Sequence, residues 1–160
     1  MRKLNALAIG AIALGMAIGS AKAQAQLSCE QQVRELNQFL SEHGQPAIND
    51  VNALANVLRQ IKRYERLPSH YITIDEAKRQ GWSGRSSDSL WGLSATNRKL
   101  IGGEPFRGSS LPSNVQWRSA DIDVSRGYRG HKRLIYSVKS SKRFVTVDEY
   151  QHFVELSPCN

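Results

Sequence analysis

Apolar positions along the chain fall into two spacings, helical in the first half and alternating in the second. Val33, Leu36 and Leu40 recur at i, i+3 and i+7 behind Ser28, which can cap a helix that Gly44 ends. Val51, Leu54, Leu58 and Ile61 form a second stripe behind Asn49 or Asp50, and Leu67-Pro68 stops it. A shorter helix starts at Thr73 or Asp75 and ends at Gly81, followed by Trp82 as a packing residue. Between Arg85 and Asn97, Ser, Gly and Asn dominate and leave Leu90, Trp91 and Leu93 for one helical turn.

From Ile101 onward the spacing is two, which predicts strands near 101–106, 117–123, 131–138, 143–148 and 151–156. Helices first and an antiparallel sheet afterwards make the fold class α+β. Alternation puts Arg118, Ala120 and Ile122 on one face of the second strand and Trp117, Ser119, Asp121 and Asp123 on the other. Past the Ser125-Arg126-Gly127 turn, Arg129, His131 and Arg133 share a side opposite Leu134 and Tyr136. Three potential cations beside an aspartate suit a phosphate, because guanidinium binds phosphate oxygens in bidentate fashion and stays charged. The plainer alternative is a solvated, charged sheet face.

Composition adds a compartment and a charge. Arg2 and Lys3 precede an apolar run from Ala6 to Ile18, and Ala21-Lys22-Ala23 or Ala23-Gln24-Ala25 offers a cleavage site. The run is too short to span a bilayer. Residues 1–25 therefore read as a signal peptide, and the mature chain as secreted or periplasmic with no membrane segment. Cleavage removes Arg2, Lys3 and Lys22 and no acid, so the formal charge falls from +8 to +5 and still favours an anionic partner. Cys29 and Cys159, at the two ends of the mature chain, read as one disulfide in an oxidising compartment. No His/Asp/Glu cluster at ligand spacing calls for a metal, and no cofactor is expected.

The segments WRSADI, SRGYRGHKRLIYSV and TVDEYQHF, with RLPSHYITIDEAKRQGW (Arg66 to Trp82) and the IGG of Ile101 to Gly103, occur in one order. Together they resemble the barnase-like family of small secreted bacterial ribonucleases, over about the last 110 residues. The resemblance implies a ribonuclease domain at 49–160, with 26–48 an added helical extension. It also implies metal-free cleavage of single-stranded RNA, the ribose 2′-hydroxyl attacking the adjacent phosphate to leave a 2′,3′-cyclic end. That reaction needs a base, an acid and cations. Arg129 and Arg133 match the family's two arginines, and Asp121 the acid that orients them. The family's lysine position is Ile74, its base position Ser119 and its acid position Glu149, with Tyr150 and Gln151 still following.

Two readings fit this mismatch. In a rewired site Glu104 and Glu149 share acid–base work with His131, a residue type that both binds and releases a proton near neutrality. In a decayed site His131 is a surface histidine, Glu149 a partner of Arg133, and the domain is retained for binding RNA or protein. Glu104, Arg129, His131, Arg133 and Glu149 are thus the candidate catalytic residues, whereas His152 faces away if the strand is regular. Ser119 and Tyr150 are candidate substrate contacts. The family's guanine-reading loop is shorter here, Phe106 to Gln116, and lacks an acid, leaving Arg107 to stack on a base and Ser109 or Ser110 to hydrogen-bond it. A plain surface turn is the alternative for that loop. RNA, an acidic inhibitor protein and a monomeric state complete what the resemblance implies.

Overall fold

The computed structural model describes residues 25–160; residues 1–24 of the expected signal peptide lie outside them. Helices α1 (Cys29–Glu42) and α2 (Val51–Tyr64) come first, then strand β1 (Tyr71–Ile72) and helix α3 (Ile74–Arg79). Five further strands follow: β2 (Leu100–Phe106), β3 (Trp117–Asp121), β4 (Arg133–Ser137), β5 (Ser140–Thr146) and β6 (Val154–Leu156). They form one six-stranded sheet in sequence order, antiparallel throughout except that β1 runs parallel to β2. The α+β expectation holds, and the short parallel β1 was not expected.

Side-chain chemistry sets the helix starts. Ser28 accepts the Gln31 amide while the Gln31 side chain accepts the Ser28 amide, a reciprocal capping box. Of the two candidate caps for α2, Asp50 takes the role, its Oδ1 accepting the Ala53 amide at 2.9 Å. Thr73, not Asp75, caps α3.

One sheet face packs against α1 and α2. Ala120, Ile122, Leu134, Tyr136, Val145 and Leu156 meet Val33, Leu36, Leu40, Leu54, Leu58 and Ile61 in a single buried cluster, which includes both cysteines. Cys29 and Cys159 are joined in a disulfide, their Cα atoms 4.8 Å apart. Backbone bonds from Cys29 N to Asn160 O and from Asn160 N to Leu27 O close the two ends together. The Glu30–Arg59 ion pair ties α1 to α2. The opposite face carries a smaller cluster of Leu111, Trp117, Ile135 and Phe144, with Phe106, Tyr150 and Phe153 packed on it.

Several strands end earlier than alternation predicts. β3 stops at Asp121 because Asp123 turns into a left-handed conformation, φ +56°, and leaves the face it was expected to share with Asp121. Its carboxylate accepts instead from the Asn49 and Asp50 amides and from Lys132 Nζ, at 2.8, 2.9 and 2.6 Å. β4 starts at Arg133, so Arg129 and His131 stand in the loop before it. Residues 148–152 form a turn built on Asp148, which leaves only Val154–Leu156 of the expected last strand.

Candidate active site

The β3 alternation turns Ala120 into the helix-covered core and Ser119 and Asp121 to the other face. Asp121 is almost wholly buried, and its carboxylate takes Arg129 in a bidentate grip, Nε at 2.8 Å and Nη2 at 2.9 Å. Arg133, opposite Asp121 in the β3–β4 register, places its Nε 3.1 Å from Asp121 Oδ1. That approach is too oblique for a hydrogen bond and acts through charge alone. Arg133 Nη1 donates to the Gly130 and Lys132 carbonyls, fixing the guanidinium in place. Two guanidiniums on one buried carboxylate leave a net positive charge in a site that water reaches poorly, where it acts more strongly than on the open surface.

Burial opposes the charge on Arg129, yet the bond and charge of Asp121 and the nearby Tyr150 and Glu104 outweigh it and raise its pKa. The Tyr71 hydroxyl donates to the Asp121 carbonyl at 2.7 Å and buttresses the strand from below. Burial, then the Asp121 charge, pushes that phenol's pKa well up, so it stays a donor. The loop that delivers Arg129 is pinned by Gly127, φ +80°, whose carbonyl accepts the Leu90 amide. A Cβ there would lie 2.5 Å from Ser89 Oγ and from Trp91, so only glycine fits.

Glu104 reaches the same face from β2. A bulge at Gly103, φ +88°, shifts the register so that Glu104 lies opposite Ser119. Its Oε1 accepts the Ile74 amide at 2.5 Å. Ile74, at the position where the resemblance implies a lysine, thus contributes its backbone rather than a charge.

His131 and Glu149 come together, Nδ1 to Oε2 at 2.9 Å, and the Glu149 amide donates to the His131 carbonyl at 3.0 Å. Glu149 is therefore not the partner of Arg133 that the decayed reading requires; Arg133 is held by Asp121 and by carbonyls. Glu149 and Tyr150 are consecutive left-handed residues, φ +56° and +71°. The turn is held by the Tyr150 amide on Thr146 Oγ1, by Thr146 Oγ1 on Asp148, and by the His152 amide and ring on Asp148. Burial works against the Asp148 charge, but these bonds outweigh it and lower its pKa. The Tyr150 ring stacks on Phe106 at 4.8 Å and lies 6.0 Å from the Arg133 guanidinium carbon.

Ser119 is buried opposite Glu104, at the floor of this face. Arg107 and Ser109 line a groove of about 730 Å³ formed by residues 105–109 and 112–118, to which none of Glu104, Arg129, His131, Arg133 or Glu149 contributes. His152 is turned away from the arginines onto Asp148, although through a turn and not a regular strand. Tyr71 and Asp148 escaped sequence reasoning: nothing in the pattern predicts the Tyr71 contact, whereas Thr146 and Asp148 after a strand are a turn signal. Among the described residues no three His, Cys, Asp or Glu side chains converge as a metal set.

No family profile matches the chain. Individual relatives do: a protein named "Ribonuclease" from Heyndrickxia coagulans is 34% identical over 110 residues, covering 66% of this chain and 97% of the relative. Proteins of the same name from Bacillus intermedius and Bacillus pumilus are each 34% identical over 110 residues, but the match covers 65% of their own length. The near-complete coverage of the first relative, together with the paired arginines on Asp121, shows that the chain belongs to the barnase-like family of bacterial ribonucleases.

Proposed function

We propose that this protein is an exported endoribonuclease that cleaves single-stranded RNA by attack of the 2′-hydroxyl on the adjacent phosphate, without a metal. The observation that carries the reading is the Arg129–Asp121–Arg133 assembly, a rigid cationic cradle on the sheet face opposite the two long helices. Arginines supply the positive charge that the phosphorus centre needs as the reaction proceeds. Glu104, His131 and Glu149, the titratable groups around the cradle, are the proton-transfer set. The similarity to proteins named ribonuclease supports RNA as the substrate.

Residues 1–25 act as the export signal in this reading, 26–48 as a clasped extension and 49–160 as the catalytic domain. The Cys29–Cys159 bridge and the mature charge of +5 fit an oxidising compartment and an anionic substrate. The protein acts as a monomer, and its basic face would suit an acidic inhibitor protein. A second reading, a binding domain that has lost chemistry, draws on Ser119 and Glu149 standing at the family's base and acid positions.

Incubation of the purified mature protein with a short single-stranded RNA in EDTA separates the two. Cleavage with a 2′,3′-cyclic phosphate end, lost in Arg129→Ala, supports the enzyme. Binding without cleavage supports the second reading, and cleavage that EDTA abolishes contradicts the first.

A further inference from the structure

The proton-transfer groups flank the arginine cradle from opposite sides. Glu104 approaches from β2, anchored to the Ile74 amide, and its field reaches Arg129. His131 and Glu149 approach from the other flank, from the loop before β4 and the turn after β5, next to Tyr150 over Arg133. Displacement at phosphorus keeps the attacking and leaving oxygens roughly in line. A base and an acid that serve such a step must stand on opposite sides of the phosphate, as these two flanks do.

The two carboxylates are not equivalent. Glu104 is tied to a backbone amide, while Glu149 is spent on the imidazole, holding Nδ1 and leaving Nε2 without a hydrogen bond among the described residues. The ring is 71% exposed, so Nε2 opens on the solvent side where a substrate would lie. Two successive non-glycine residues in left-handed conformation persist only where their surroundings enforce them. Here Thr146, Asp148 and the Phe106 stack enforce them, and the result is that the Glu149 carboxylate meets the His131 ring. The other charged groups on the His131 segment are engaged elsewhere: Arg129 and Arg133 on Asp121, and Lys132 on Asp123 and the Ala47 carbonyl.

We propose that His131 Nε2 is the general acid for the departing oxygen, that Glu149 is a positioning residue that orients the imidazole through Nδ1, and that Glu104 is the base. The inference rests on the ribonuclease reading. In the step, the 2′-oxygen bonds to phosphorus as its proton passes to Glu104. The bond from phosphorus to the 5′-oxygen breaks as that oxygen takes the Nε2 proton. The products are a 2′,3′-cyclic phosphate and a free 5′-hydroxyl, with Glu104 protonated and His131 neutral until solvent exchange resets both.

A leaving group that departs without a proton separates acid from base. The mature protein and its variants are assayed on a short RNA and on ribonucleoside 3′-(4-nitrophenyl phosphates) of all four bases. His131→Ala should lose about 10²- to 10⁴-fold on RNA, the usual cost of a general acid, and little on the aryl esters. Glu104→Gln should fall on both substrates. Glu149→Ala should copy the His131→Ala pattern at smaller amplitude. Glu149→Gln keeps an acceptor for the ring and should recover most of the rate that Glu149→Ala loses on RNA. Equal losses for His131→Ala on both substrates, or none, would overturn the acid assignment while leaving an active ribonuclease. A Glu149→Ala variant that retains full rate on RNA would overturn the positioning role. If the wild type cleaves neither substrate, the ribonuclease reading falls and this assignment with it.

Discussion

The arginine cradle and the histidine rim sit side by side on one sheet face, yet they are built in opposite ways. Asp121 and Arg133 are almost fully buried and locked by carbonyls and register partners, whereas His131 and Glu149 are 71% and 55% exposed and bonded mainly to each other. A buried charge cluster couples folding to anion binding, because removing either arginine takes away part of the charge that compensates the buried carboxylate. An exposed pair on a turn can change residue types at little cost to the fold. On the proposed function, the contrast explains how the arginine cradle can keep the pattern that the resemblance implies while the positions it implies for base and acid depart from it.

The largest effect should come from the cradle. Asp121→Asn leaves two guanidiniums with uncompensated charge and should destabilise the protein by about 3–5 kcal/mol in urea unfolding. A smaller loss would mean that the cradle is wetter than its burial indicates. Replacing both Cys29 and Cys159 with Ala should cost about 2–4 kcal/mol, chiefly by freeing the unfolded chain. Because the bridge lies under the opposite sheet face, RNA affinity of the folded fraction should stay unchanged, which separates stability from the site.

Acid should act next. Burial alone would raise the pKa of Asp123, but the Asn49 amide, Lys132 and the Asp50 amide outweigh it, and Asp148 is likewise lowered. A depressed carboxyl contributes stability above its unfolded pKa and loses it as pH falls through the folded value. Stability should therefore decline below about pH 4, and less steeply in Asp123→Asn. Thermal melts across that range check this. At the rim, His131→Ala should change stability by no more than about 0.5 kcal/mol, the usual range for an exposed site.

Much of this division can be read from residues. The apolar stripes of Val33 to Leu40 and Val51 to Ile61, and the Ser119/Asp121 alternation, depend on local periodicity, and the structure keeps them. Asp123 misled because its capture by Asn49 and Asp50 is a contact across more than 70 positions, and no local pattern reports it. The His131–Glu149 bond failed to register for a related reason: alternation placed His131 with the arginines, but β4 begins only at Arg133, and the left-handed turn at Glu149 brings its carboxylate around. The parallel pairing of Tyr71 and Ile72 with Leu100 and Ile101 is set by tertiary packing of a two-residue strand too short to carry a period.

The division of labour itself is best tested by binding a 2′-deoxy analogue of the substrate, which lacks the attacking hydroxyl, across a salt series for wild type, Arg129→Ala and His131→Ala. Each phosphate neutralised contributes about one unit to the slope of log affinity against log salt. Arg129→Ala should bind more weakly with a slope shallower by about one, while His131→Ala should change the slope far less, because Glu149 offsets the charge of its ring. Superimposable curves for Arg129→Ala and wild type, or a His131→Ala slope as shallow as that of Arg129→Ala, would contradict the division.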